Sequence, residues 1–171
     1  MRAIWFPLLA FILCSVPHSA PAGMREPPAV SSGTLESKAY ELVNDHRQAM
    51  GLASLSYDAR IAAVARRHSE NMAAGRVPFG HEGFEERQRA ISKTIPWTGI
   101  AENVGMNDYP VARTVRAAVS GWLGSRGHRK NIEGRYDATG VGIARDDRGT
   151  FYYTQIFVNR TGMRPSRPGL R

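Results

Sequence analysis

The chain has 171 residues, 42% of them apolar and 22% charged, and a formal net charge of +8 at pH 7 with arginine greatly outnumbering lysine. That length builds an apolar core as one domain, and no internal repeat argues for anything else. The positive charges run along helices and into the basic tail 160–171 without aromatic interleaving or a nucleic-acid motif, so no nucleic-acid partner is expected. Outside a cell, such a solvated basic surface attracts anionic wall polymers or lipid head groups, an attraction that salt weakens.

Met1-Arg2, an apolar run from Ala3 to Cys14, and small residues up to Ala20-Pro21-Ala22 read as a secretory signal peptide, residues 1–22. The run is shorter than the ~20 residues that a membrane-spanning helix needs, so no transmembrane anchor is expected after processing. The product is expected in the periplasm or outside the cell. Lipidation at Cys14 is disfavoured because Leu13 stands where a small residue is required. Cys14 is the chain's only cysteine, so a processed chain has no disulfide and relies on its core.

Residues 23–33 mix Pro, Gly and Ser as a flexible leader. Leu35, Ala39, Leu42, Val43, His46 and Met50 then recur at helical spacing, predicting a helix over about 34–50 that stops at Gly51. Asp58 is a good N-cap for a second helix, with Ile61, Val64, Ala65, His68 and Met72 on its stripe and Gly75 at its end. Residues 76–99, broken by Pro78, Gly80, Gly83, Pro96 and Gly99, predict mostly loop with one or two helical turns in the charged stretch from Phe84 to Ser92.

Ile100-Ala101-Glu102-Asn103-Val104 reads as a short strand. Pro110 opens a third helix, buried along Val111, Val115, Ala118, Val119 and Trp122 and ended by Gly124 and Gly127. Thr139–Arg145 and Thr150–Val158, joined by Asp146-Asp147-Arg148-Gly149, predict a β-hairpin. Helix, helix, loop, strand, helix and hairpin together predict an α+β domain whose helices cover an antiparallel sheet.

Several short pieces follow one another in order: Asn44-Asp45-His46-Arg47, His68-Ser69-Glu70-Asn71-Met72, His81-Glu82-Gly83, Ala101-Glu102-Asn103-Val104, Trp122 before Gly127-His128-Arg129-Lys130-Asn131-Ile132, Val141-Gly142-Ile143-Ala144, and Tyr153-Thr154-Gln155-Ile156-Phe157. Over about residues 34–158 this combination resembles the CAP superfamily (SCP domains), which includes cysteine-rich secretory proteins, insect antigen 5, plant pathogenesis-related 1 proteins and many bacterial members. The resemblance implies a three-layer α-β-α sandwich with a central, mainly antiparallel sheet. It also implies a cleft lined by two histidines and two glutamates, sometimes holding a divalent metal such as zinc.

His81, Glu102 and His128 match three of those four positions. Ser125 stands where the second glutamate is usual, as in the bacterial branch, which puts a four-residue acid/base site in doubt and leaves a His-Glu-His group. The expected cleft is therefore His81, Glu102, Ser125 and His128. His81 and His128 are candidate metal ligands, since neutral imidazoles suit zinc, and Glu102 is either a third ligand or an orienting partner. The spacing adds no support of its own, because no two of the three share a helix turn as in H-E-x-x-H.

Plainer roles compete. His81 reads equally well as an exposed turn residue, His128 as a cation at the end of the third helix, and Glu102 as an acceptor of loop amides. Asn103, Asn131 and Gln155 read as architecture, and His46 and His68 as hydrogen-bonded core histidines outside the site. Ser125, His128 and Glu102 can be written as a hydrolytic triad, but no G-x-S-x-G elbow supports it.

Two functions follow. The preferred one is a secreted binding module for an extracellular lipid, sterol, glycan, wall polymer or protein. The other is a metal-dependent hydrolase of extracellular peptides or wall polymer, with Glu102 as general base.

Overall fold

The computed structural model describes residues 31–162. The leader read as a signal peptide and the basic tail after residue 162 lie outside the described residues. In chain order the elements are α1 (Ser32–Ala49), β1 (Ser56–Tyr57), α2 (Ala59–Ala73), α3 (Phe84–Ser92), β2 (Trp97–Asn107), α4 (Val111–Gly124), α5 (Arg126–Ile132), β3 (Ala138–Arg145) and β4 (Phe151–Arg160).

The strands form one sheet in the order β1-β3-β4-β2. β3 and β4 pair antiparallel through the hairpin, β2 pairs antiparallel on the other side of β4, and the two residues of β1 add the only parallel pairing among the described residues. Alternation along each strand decides what each face meets. Val141, Ile143, Phe151, Tyr153 and Phe157 point to one side, into a core shared with Leu35, Val43, Val119, Trp122 and Ile132 of α1, α4 and α5. Ala138, Ile156 and Val158 point to the other side, against Ile61 and Ala65 of α2 and Ile91 of α3. The result is an α-β-α sandwich with a mixed, mainly antiparallel sheet. Each fully buried Ile, Val or Phe in these cores contributes about 1.5–3 kcal/mol.

Two glycines set the spacing of the α2 layer. A Cβ on Gly140 or Gly142 would collide with the α2 backbone at Ala62 and Arg66 respectively. β3 therefore lies directly beneath α2, closer than any side chain permits. Glu36 of α1 reinforces this layer from the sheet edge: buried, it accepts from Arg66 and from the backbone N–H of Ile143 at 3.1 Å.

The helix signals are met where capping chemistry is local. Asp58 caps α2 through its carboxylate, 2.9 Å from Arg60 N, and Gly51 and Gly75 take positive φ just past α1 and α2. Three expectations need correction. The charged stretch expected to form one or two turns is the nine-residue helix α3, with Glu85 and Glu86 in its first turn complementing the helix dipole. The short strand expected around Ile100 is the eleven-residue β2. Its alternation is hidden in sequence because Glu102, Asn103 and Gly105 occupy inward positions, the polar ones paired and the glycine making room for the Trp122 indole. Finally, the third helix ends at Gly124, and a separate seven-residue α5 follows with Gly127 inside it.

Candidate functional site

β2 is one edge of the sheet, and Glu102 sits near its middle, directed to the α2/α3 side with a side chain only 1% exposed. Such a carboxylate needs partners. It has two: Arg87 Nε donates to Oε2 at 2.7 Å and Nη2 to Oε1 at 2.8 Å, a bidentate fork, and His81 Nδ1 donates to Oε1 at 3.0 Å. Arg87 comes from α3 and His81 from the loop just before it. The charged stretch from Phe84 to Ser92 thus supplies the counterion of the buried carboxylate in the site.

The network continues inward. Arg87 Nη1 donates to His68 Nδ1 at 3.1 Å and to the Glu82 carbonyl at 2.9 Å, while His68 Nε2 donates to the Gly80 carbonyl at 2.9 Å. With one nitrogen accepting from a guanidinium and the other donating to a carbonyl, His68 is the neutral Nε2–H tautomer. Burial holds its pKa below the ordinary imidazole value, and the charge of Arg87 acts in the same direction. His68 is the hydrogen-bonded core histidine expected of it, but it belongs to the site network from which the sequence reading left it out.

The same logic fixes His81. Because Nδ1–H faces a carboxylate that can only accept, the neutral ring carries its free lone pair on Nε2, and the side chain is about half exposed. His128 does not cap the third helix: it sits in the first turn of α5, half-buried, with Ser125 as the N-cap residue whose hydroxyl makes no capping bond. Burial lowers the His128 pKa, and a proton on His81 lowers it further, so the two imidazoles sense one another's charge. No contact joins Ser125, His128 and Glu102 as a triad, since the carboxylate orients His81 instead.

Asparagines hold α5 against the strand that carries Glu102. Asn103 Nδ2 donates to the His128 carbonyl at 3.1 Å, and Asn131 Nδ2 donates to the Glu102 carbonyl at 3.2 Å and to Asn103 Oδ1 at 2.9 Å. On β4, the neighbour of β2, Gln155 is fully buried and donates to Thr139 Oγ1 at 3.1 Å. Arg87 and His68 also line a pocket of about 420 Å³ between α2 and α3, whose walls include Val64, Val77 and Ala90.

A three-ligand metal does not fit this arrangement. Both Glu102 oxygens are engaged by a guanidinium, and among the described residues no group of three or more His, Cys, Asp or Glu side chains is placed to hold an ion. Two imidazoles remain, one fewer than the protein ligands of a catalytic zinc site.

Comparison with known proteins decides the family. The sequence profile of the CAP, or cysteine-rich secretory protein, family matches residues 40–157. The chain belongs to the CAP family. This CAP domain is 35% identical over 133 residues to YlbC of Bacillus subtilis, described as an uncharacterized membrane protein, a match covering 74% of the chain and 35% of that protein. The chain thus spans about a third of the length of that curated relative. Among solved structures, an extracellular SCP-domain protein from Bacillus anthracis aligns with a TM-score of 0.62 at 28% identity, over 75% of this chain and 41% of that one. An outer surface protein of Borrelia burgdorferi aligns with a TM-score of 0.63 at 17% identity, over 77% of this chain and 97% of that one, a likeness of fold alone. Among the described residues, no helix of this CAP domain is long and apolar enough to cross a membrane.

Proposed function

We propose that this CAP domain is a secreted binding module that holds a hydroxyl-bearing extracellular ligand at the sheet edge framed by His81 and His128. The observation that carries this reading is the saturation of Glu102. Gripped by Arg87 and His81, its carboxylate cannot act as a free general base without breaking a buried ion pair. Catalysis by metal-bound water loses both its third ligand and its base at one stroke.

What the edge offers instead is a pair of imidazoles whose nitrogens can donate and accept. The neutral His81 ring presents Nε2 as an acceptor, and burial favours the uncharged form of His128. Neutral imidazoles recognise hydroxyl groups well. The leader sequence and the extracellular character of the Bacillus anthracis neighbour support a location outside the cytoplasm.

Soluble peptidoglycan fragments and neutral glycan oligomers, titrated against protein with isotopically labelled histidines, test the reading. Shifts at His81 and His128, with affinity lost in both His81→Ala and His128→Ala, are expected. Stoichiometric zinc binding that requires both histidines, together with zinc-dependent turnover of the same fragments, would replace this reading with the hydrolase.

A further inference from the structure

Helix α5 carries different chemistry on its two sides. Inward, Ile132 is fully buried and Asn131 bonds to β2. Outward, Arg126, Arg129 and Lys130 are exposed, and Arg135 of the following turn joins them around one open concavity of about 540 Å³, with Asn131 and Tyr136 in its walls. Arg126, Arg129 and Lys130 stand at i, i+3 and i+4, so neighbouring charges lie about 5–6 Å apart at their Cβ atoms.

Like charges at that spacing repel one another, and no carboxylate pairs with them directly. Among the described residues none of these four cations forms an ion pair. The one carboxylate of the concavity, Glu133, instead accepts from His46 Nε2 at 2.9 Å. Arg129 gives one N–H to the Leu123 carbonyl at 3.3 Å, which steadies the side chain and leaves the rest of its fork available. The surface is concave and net positive, with four cations against the one carboxylate of Glu133.

We propose that this outer face of α5 binds a linear anionic polysaccharide, whose repeated carboxylate or phosphate groups meet the guanidinium forks and the Lys130 ammonium. A chain of repeated anions can meet several of the cations gathered around one open groove at once. A membrane surface would call for an apolar side chain to insert beside the charges, but the exposed large apolar residues Met50, Tyr57, Phe79, Met106 and Tyr109 all lie outside the concavity. Single-stranded nucleic acid would call for a free aromatic platform, whereas the Tyr136 ring packs against Phe157 with centroids 5.6 Å apart. Neither His81 nor His128 lines this concavity, and the proposal does not rest on the function proposed for that edge.

The test measures binding of the protein to polygalacturonate across a salt series, in parallel with neutral dextran, phosphatidylglycerol vesicles and a single-stranded oligonucleotide. The expected result is polygalacturonate binding that falls linearly in log affinity with log salt, as counterion release requires. Arg126→Gln/Arg129→Gln/Lys130→Gln is expected to lose about tenfold or more in affinity with a shallower salt slope. The charge-conserving Arg126→Lys/Arg129→Lys should keep the salt slope and bind more tightly than the triple glutamine variant, and His81→Ala should keep all of the binding. The proposal is overturned if the triple variant, its melting curve unchanged, binds as the parent does. It is equally overturned if dextran binds as well as polygalacturonate, or if vesicles or the oligonucleotide bind more tightly.

Discussion

Arg87 holds both oxygens of the Glu102 carboxylate, at 2.7 and 2.8 Å, with the glutamate side chain 1% and the arginine side chain 11% exposed. An ion pair this deep is asymmetric in its consequences: losing one partner strands the other, whereas losing both leaves an apolar gap that can be filled. Arg87→Ala is therefore expected to destabilise the fold by about 3–5 kcal/mol, and Arg87→Met/Glu102→Leu by clearly less. Urea denaturation of the two variants checks the order. Equal or reversed losses would mean that Glu102 does not depend on Arg87.

His68 makes stability depend on pH. Its folded pKa lies below the ordinary value because burial and the nearby Arg87 disfavour the charged ring. The unfolded chain therefore takes up a proton before the folded one does. Stability is complete above the unfolded value of about 6.5 and falls as pH drops from there toward the folded pKa. His128 is displaced in the same direction and adds to the slope. Urea midpoints between pH 7.5 and 5 should decline, and His68→Gln should flatten the decline. A variant with the parent's pH profile would remove His68 from this account.

The hydrogen bonds joining α5 to β2 position His128 beside the Glu102 strand. Asn103 is fully buried and bonds both the His128 carbonyl and Asn131. Asn103→Ala is expected to cost about 1–3 kcal/mol, because it leaves the part-buried His128 carbonyl and one N–H of the Asn131 amide without their partner. It should also shift the His128 ring resonances while leaving those of His68 in place. Unchanged His128 signals would show that α5 is held by Ile132 packing alone.

Gly142 and Gly121 predict opposite responses to one added methyl group. A Cβ at Gly142 meets the Arg66 backbone of α2, whereas nothing lies within 4 Å of a Cβ at Gly121 on the exposed side of α4. Gly142→Ala should cost about 1–3 kcal/mol or more through overpacking. Gly121→Ala should stabilise by about 0.5–1 kcal/mol through the helical preference of alanine. Thermal melts of the two variants make the comparison.

Much of this domain is legible along the chain because the signals are local. The apolar stripes of α1, α2 and α4, the Asp58 cap, the glycine stops at 51 and 75 and the hairpin around Asp146–Gly149 all depend on residues within a few positions of one another. The ordered family motifs add His81, Glu102 and His128. Arg87 and His68 could not be assigned in the same way. A charged residue in a polar stretch reads as solvated until the fold brings a buried carboxylate 2.7 Å from it, and Glu102 lies 15 positions further along the chain.

The split has a physical cause. Helix periodicity, caps and turns are set by interactions spanning three or four residues, so composition and order alone determined the α1, α2 and α4 helices, the β3–β4 hairpin, the α+β class and the family, while the full lengths of α3 and β2 and the separate α5 emerged only in the fold. Which polar side chains are buried together depends on pairings between distant segments: α3 laid over the β2 edge, and α5 tied to it by Asn103 and Asn131. Tertiary structure alone decided that Glu102 is an arginine-bound anchor, that His81 is thereby fixed with Nε2 outward, and that the α5 cations face one open groove.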